Sequence, residues 1–213
     1  MKKVYVVGSA KHYANFITGV KLVDDIDTAD IVMFTGGEDV TPALYGAKAH
    51  PATYCDPERD EYETEMFKKI RPDQFVVSIC RGSQFVCVMN GGKLVQDVTG
   101  HGLYHTHGIY DRKTGVSYQI TSTHHQMQYP YDLPKEDYDV LYIAEGILSR
   151  HYEGDGINPD KIYNDGEPEI VMYHKKGMPK CLAIQGHPEY MRPEAPVVKM
   201  INTLINSTLK TLK

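Results

Sequence analysis

Short apolar runs that stop at glycine set the pattern of the first part of the chain. "KVYVVGS" and "ADIVMFTGG" read as buried parallel strands, because a strand covered on both faces needs no polar alternation. The stretch between them, "KHYANFITGVKLVDDIDT", has room for one short helix and a second short strand. In "DPERDEYETEMFKKIRPD" the apolar residues Tyr62, Met66, Phe67 and Ile70 recur at three and four, acids sit early, basics sit late, and Pro72 stops the run. That spacing predicts a helix. "QFVVSIC" is then a third buried strand, and "GSQFVCVMNGG" a short helix ended by its glycine pair.

The middle of the chain changes period. "GLYHTHGIYD", "TGVSYQITST" and "YDVLYIAEGILSRHYEGDG" alternate as antiparallel strands and hairpins do. A polar loop is predicted around "GDGINPDKIYNDGEPE", followed by a strand pair at "EIVMYHKKG" and "KCLAIQGHPE". "APVVKMINTLINSTLKTLK" closes as an amphipathic helix with Val198, Ile201, Leu204 and Ile205 on one face. No internal repeat and no long linker interrupts this order, so residues 1–213 are expected to form a single α/β domain. Its fold would be a mostly parallel sheet flanked by helices, with an antiparallel insert or edge.

Composition narrows the functions. The 213 residues are 41% hydrophobic and 24% charged, as in a globular protein with a core. The net charge of -5 argues against a general nucleic-acid binder, which carries a basic excess. No apolar run reaches the length of a bilayer span, and the apolar stretch Val4–Val7 is too short for a signal peptide. Cys55, Cys80, Cys87 and Cys181 show no metal-type or redox pairing, which suits reduced thiols in the cytoplasm.

One cysteine changes the picture. Cys80 stands at the carboxyl end of a predicted buried strand, where open α/β sheets gather their reactive groups. With small neighbours Ser78 and Gly82 it has the form of a nucleophile elbow, a sharp strand-turn-helix bend that exposes a side chain. The helix N-terminus behind it favours a thiolate, and its free N–H groups can bind an oxyanion. Cys55, Cys87 and Cys181 read instead as small buried apolar residues. A base is available in "AIQGHPEY": His187 and Glu189 follow a buried strand, and two residues apart in an extended segment they share a side. Gly36–Gly37, at the end of another strand, let a second backbone N–H approach a substrate beside the N–H of Arg81.

"SICRGSQ", "FTGGEDVTPALYG", "STHHQ" and "GHPE", with "RDEYE" and "NGGKLVQD", together resemble the class I glutamine amidotransferase superfamily. The resemblance is greatest to its γ-glutamyl hydrolase-like branch, peptidase family C26, which includes γ-glutamyl-γ-aminobutyrate hydrolases. It implies the flavodoxin-like fold of that superfamily, no cofactor and no metal. It also implies a catalytic triad of Cys80, His187 and Glu189, with Gly37 and Arg81 supplying oxyanion-hole amides. Gly36, Gln84, Ser122, His124, His125 and Gln126 would bind the substrate. The family reaction is thiolate attack on a γ-glutamyl carbonyl, a γ-glutamyl thioester, departure of ammonia or an amine, and hydrolysis to glutamate. The family pattern has glycine at the place of Ser78 and an aromatic residue at the place of Gly186. Gly186 is expected to remove a bulky wall and to loosen the backbone beside His187.

Three functions are weighed on this footing. In the first, the chain hydrolyses glutamine and supplies ammonia to a separate synthetase or ligase, since its length leaves no room for an ATP-using domain. In the second, it is a stand-alone γ-glutamyl hydrolase acting on an amide or peptide. The third is a binding or regulatory module with little catalysis, a reading fed by Gly186. A metal-dependent hydrolase on His101, His105 and His107 is ranked below these, because no carboxylate or thiol at ligand spacing completes a site locally. The acidic "EGDGINPD" is read as a solvated loop. Small-molecule substrates are expected, with no nucleic acid and no membrane partner.

Overall fold

The computed structural model describes residues 1–102 and 105–212. Its strands are β1 (Lys2–Val6), β2 (Val20–Leu22), β3 (Ile31–Phe34), β4 (Phe75–Ile79), β5 (Lys93–Val95), β6 (Asp97–Val98) and β7 (His105–Tyr110). They continue as β8 (Ser117–Ser122), β9 (Met127–Tyr129), β10 (Tyr138–Ala144), β11 (Tyr152–Glu153), β12 (Pro168–Tyr173) and β13 (Lys180–Ile184). The α-helices are α1 (Pro57–Lys68), α2 (Arg81–Met89), α3 (Pro159–Asp165) and α4 (Pro196–Thr211). Among the described residues no helix is long and apolar enough to cross a membrane.

A nine-stranded sheet runs in the order β2-β1-β3-β4-β13-β12-β10-β7-β8. From β2 to β13 every pairing is parallel; from β13 to β8 every pairing is antiparallel. This is the expected α/β class with its antiparallel edge. The buried runs account for the parallel half: β3 and β4 are buried at every position, sandwiched between layers. One face packs against α4 through Val197, Val198, Ile201 and Ile205, with Leu204 only partly buried. Each such aliphatic side chain contributes about 1.5–3 kcal/mol by leaving water. The other face packs against α1 and α2, where Phe34, Phe67 and Phe85 meet. A smaller cluster under β6, β9, β11 and α3 holds Val98, Tyr129, Tyr152 and Ile162.

Several expectations are corrected. Helix α1 ends at Lys68, so Ile70 lies beyond it, and Tyr62 is 47% exposed. The buried face of α1 carries Asp60 and Glu63 beside Met66 and Phe67, because both acids pair with a buried arginine described below. The predicted polar loop contains α3: Asn158 caps it through the N–H of Asp160 at 3.0 Å, Pro159 starts it, and Ile162 is buried. The long alternating run after Tyr138 is a strand only to Ala144, with a second short strand at Tyr152–Glu153. Leu103 and Tyr104 of the predicted strand "GLYHTHGIYD" lie outside the described residues.

Candidate active site

The carboxyl ends of β3, β4 and β13 lie side by side, since Phe34 pairs with Ser78 and Ile79 with Ile184. Each strand delivers one part of the site: Gly36–Gly37, Cys80, and His187 with Glu189. Cys80 has φ 51° and ψ −113°, the single positive φ of a non-glycine residue among those described. An L-residue meets its own backbone there, so the conformation is strained and persists only because its surroundings hold it. They do so at both ends. The N–H of Cys80 donates to the Ile184 carbonyl at 2.8 Å, and its carbonyl accepts from the N–H and hydroxyl of Ser83 at 2.9 and 2.6 Å. Gly82 allows α2 to leave at this angle, for a Cβ there would lie 2.5 Å from the Phe34 carbonyl oxygen. Cys80 therefore stands at the N-cap of α2, its carbonyl taking the first helical amides of Ser83 and Gln84 while the N–H groups of Arg81 and Gly82 have no intrahelical acceptor.

His187 Nδ1 and Glu189 Oε1 are 2.7 Å apart. The segment is not the extended one expected: Pro188–Tyr190 form a single 3-10 turn, which folds Glu189 back under the ring. Tyr190 stacks on the imidazole with centroids 4.8 Å apart and planes within 4°. Burial alone disfavours the imidazolium, but the Cys80 thiol and Glu189 outweigh it and raise the pKa of His187 to about 10. His187 Nε2 is buried on the side of the Cys80 thiol. The raised value has a consequence for stability. The ordinary imidazole pKa is 6.5 and the folded value about 10, so the contribution is fully present below 6.5 and is lost as pH rises through 10. Thermal melts from pH 6 to pH 10 are expected to show this decline in the wild type and a shallower one in His187→Gln, whereas parallel curves would refute it.

Beside Cys80 a cavity of about 170 Å³ is lined by Gly37, Glu38, Asp39, Tyr54, Arg81, Gln84 and the segment Thr123–Gln126. It is smaller than the ~300–1,000 Å³ of sites for drug-sized ligands, which suits an amino-acid head group. A larger open groove of about 630 Å³, lined by Met1, Lys2, Thr18, Gly19, Asp30 and Leu209, lies at the opposite ends of β1 and β3, away from Cys80.

The remaining residues singled out from sequence are placed as follows. Gly36 passes between Tyr13 and His187, where a Cβ would lie 2.7 Å from the Tyr13 hydroxyl and 3.3 Å from His187 Cε1. Gly37 has φ 142° and sits against the Arg59 guanidinium. Gln84 donates from Nε2 to the Gln126 carbonyl at 2.9 Å, while its Oε1 is buried without a partner. His125 is half-exposed, and the Asp39 carboxylate at 3.1 Å raises its pKa. His124 and Gln126 are buried. Ser122 does not line the cavity; its hydroxyl donates to the His101 carbonyl at 2.6 Å.

The Arg81 side chain turns away from the cavity. It is 1% exposed, forms ion pairs with Asp60 and Glu63, and lies over the Phe85 ring. Glu63 also accepts from Arg59 Nε at 2.9 Å, and Arg59 donates to the Gly36 carbonyl at 3.0 Å. A charged network thus runs from α2 through α1 to the glycine pair. The spacing of "RDEYE", with acids at i and i+3 on a helix, holds that signal, but an acid pair on a helix reads as a solvated face.

The expectation for Gly186 is overturned. The side chain of Ile120 fills the space: a Cβ at Gly186 would lie 2.8 Å from it and 2.9 Å from the Thr121 carbonyl oxygen. The backbone is tied as well, by the His187 N–H to Thr121 carbonyl bond at 2.8 Å. Gly186→Ala is expected to lose about 1–3 kcal/mol by overpacking. An unchanged denaturation midpoint for that variant would mean β8 moves aside freely.

The chain is similar to known proteins in sequence and in fold. A candidate glutamine amidotransferase of Mycobacterium tuberculosis is 28% identical over 171 residues, covering 77% of this chain and 52% of its own length. The glutamine amidotransferase-like protein YvdE of Lactococcus lactis is 28% identical over 165 residues, covering 75% and 66%. The chain thus spans between half and two thirds of the length of these curated relatives. Among solved structures, a candidate GMP synthase component from Thermoplasma acidophilum superposes with a TM-score of 0.56 at 15% identity, covering 99% of this chain and 98% of that one. A glutamine amidotransferase of Thermotoga maritima does so with a TM-score of 0.53 at 12% identity, covering 99% and 93%. These superpositions show the fold. The Peptidase C26 family model matches residues 18–141, a stretch that includes the glycine pair, Cys80 and the Ser122–Gln126 segment, and the chain belongs to that family.

Proposed function

We propose that the protein hydrolyses the γ-amide of glutamine through a γ-glutamyl thioester on Cys80. The observation that carries this is the strained Cys80 at the N-terminus of α2, facing an imidazole held by a buried carboxylate. The His187 ring, whose raised pKa keeps it protonated near neutral pH, holds the proton given up by the thiol, and Glu189 holds the ring in place and stabilises its positive charge. The thiolate attacks the γ-carbonyl, and the amides of Arg81 and Gly37 receive the oxyanion. His187 then returns the proton to the leaving nitrogen, ammonia departs, and a water deprotonated by the same ring releases glutamate. Glu38 and Asp39 supply negative charge at the cavity mouth for the α-amino group of the substrate, while Gln84, His125 and Gln126 offer polar contacts to its head group.

The names of the relatives support glutamine as substrate, and the ammonia would pass to a separate synthetase or ligase. A second reading, hydrolysis of a γ-glutamyl amide or peptide by the chain acting alone, is favoured by the Peptidase C26 match. Acid-quenched turnover with L-glutamine, analysed by mass spectrometry, tests the first. A glutamyl adduct on the Cys80 peptide with release of glutamate is the expected result. An adduct only with γ-glutamyl amides or peptides would transfer the assignment to the second reading, and adduct-free turnover would refute the thioester.

A further inference from the structure

One residue of the cavity-lining segment, His124, points its ring into the interior, towards a polar cluster that the chemistry at Cys80 does not use. At its centre is Glu169 on β12, fully buried. Three imidazoles approach the same carboxylate oxygen, Oε1: His107 Nε2 at 2.9 Å, His101 Nδ1 at 3.3 Å and His124 Nε2 at 3.9 Å. All three nitrogens and both Glu169 oxygens are buried, yet none makes a hydrogen bond.

The opposite nitrogens explain why. His124 Nδ1 stands 2.8 Å from the Gln126 carbonyl oxygen, an acceptor only, so the ring proton of a neutral His124 is on Nδ1. His101 Nε2 stands 3.2 Å from Glu167 Oε2, so with the ring neutral its proton lies there and Nδ1 is left with its lone pair free. Glu167 is itself held by the N–H groups of Leu148 and Ser149 and by the Tyr152 hydroxyl. With both rings neutral, two imidazole lone pairs face the Glu169 carboxylate. That is repulsive unless a cation lies between them. An imidazole with its outer nitrogen held by a carboxylate or a backbone carbonyl is also how metal-ligating histidines are oriented.

We infer that His101, His107, His124 and Glu169 form a structural zinc site. The ligand atoms of His101, His124 and Glu169 lie within 4.8 Å of one another. A tetrahedral shell with bonds of 2.0–2.1 Å has ligand–ligand edges of about 3.3 Å, in the middle of the nitrogen–oxygen separations here. Three imidazoles and a carboxylate suit Zn²⁺ better than Mg²⁺ or Ca²⁺, which prefer oxygen ligands. Two buried carboxylates, Glu167 and Glu169, match the charge of a divalent ion. Local sequence hides the site because Glu169 comes from a strand far along the chain, and because His105, which alternates with His107, faces solvent. The ion would tie β7, β12 and the chain at His101 to the Ser122–Gln126 segment, fixing one wall of the cavity. It positions that wall and takes no part in the chemistry.

The full-length chain, stripped with a chelator, is titrated with Co²⁺ and then with Zn²⁺. The expected result is about one ion per chain in a closed tetrahedral site, with intense visible d–d bands and no sulfur charge-transfer band. Both are retained in Cys80→Ala and in Glu153→Gln, the latter removing a ligand from the separate, partly exposed group His50, Asp97 and Glu153. Both are lost in Glu169→Gln, and in His124→Gln should the first variant not fold. Zn²⁺ is further expected to raise the Tm of the wild type by several degrees, as a ligand binding only the folded state does. Failure of the stripped wild type to take up either ion would overturn the site in favour of protonated histidines around Glu169. Uptake that disappears in Cys80→Ala or Glu153→Gln would overturn it as well, by placing the metal elsewhere.

Discussion

Cys80→Gly is expected to abolish glutamate release from L-glutamine while leaving the protein about 1 kcal/mol more stable than Cys80→Ala. Loss of a nucleophile in a hydrolase of this type costs on the order of 10⁵–10⁶-fold in kcat. Alanine and glycine both remove the thiol, so their turnover should be equally absent. They differ at the backbone. With φ 51° and ψ −113°, the alanine variant keeps the clash between Cβ and the main chain, and the glycine variant does not. Glycine carries an entropic cost in the unfolded chain, which offsets part of the gain. Denaturant unfolding of the two variants beside wild type measures the difference directly. A glycine variant less stable than the alanine one would mean that no strain is stored at the elbow, and residual thiol-independent release would refute the nucleophile.

Arg81→Met is expected to destabilise the fold by about 3–5 kcal/mol, the cost of leaving buried carboxylates without their cation. Asp60 and Glu63 are each 2% exposed, and the guanidinium bridges both. Methionine fills similar volume, so the loss reports the charges rather than a cavity. Asp60→Asn with Glu63→Gln in the same chain is expected to recover at least half of it. Those amides keep the acceptors used by the Thr41 N–H and by Arg59 Nε. A double-mutant cycle separates this coupling from the individual costs. A loss below ~1 kcal/mol would show that water reaches the acids once Arg81 is gone, at the low penalty of exposed pairs.

The parts of the molecule legible in its sequence are those where one local signal has one physical cause. Runs such as "IVMF" and "FVVSI" are apolar throughout because helices cover both faces of β3 and β4. Cys80, His187 and the glycine pair could be grouped because each follows such a run, and parallel strands bring their carboxyl ends together. What escaped reading is what long-range pairing reverses. Asp60 and Glu63 look like the solvent side of a helix until Arg81 is seen behind them. Glu169 sits inside a buried strand, where charge is expensive, and only the folded chain brings histidines from two other segments to it. Gly186 looked like missing bulk because the side chain that fills its place, Ile120, belongs to a distant strand.

The position of β13 bears on how the protein comes into being. It follows the other described strands in sequence, yet it lies between β4 and β12, joining the parallel half of the sheet to the antiparallel half. During synthesis both halves therefore wait with an open edge, and Cys80 leaves the ribosome long before the histidine that faces it. Inserting Lys180–Ile184 closes both edges at once, ties the Cys80 amide to Ile184 and brings His187 into place. A nascent chain lacking that strand has neither a complete sheet nor a base for its thiol, so the reactive centre arises only once β13 has entered the sheet. Such late, non-local closure makes for slow folding and leaves the half-made sheet open to pairing with other chains.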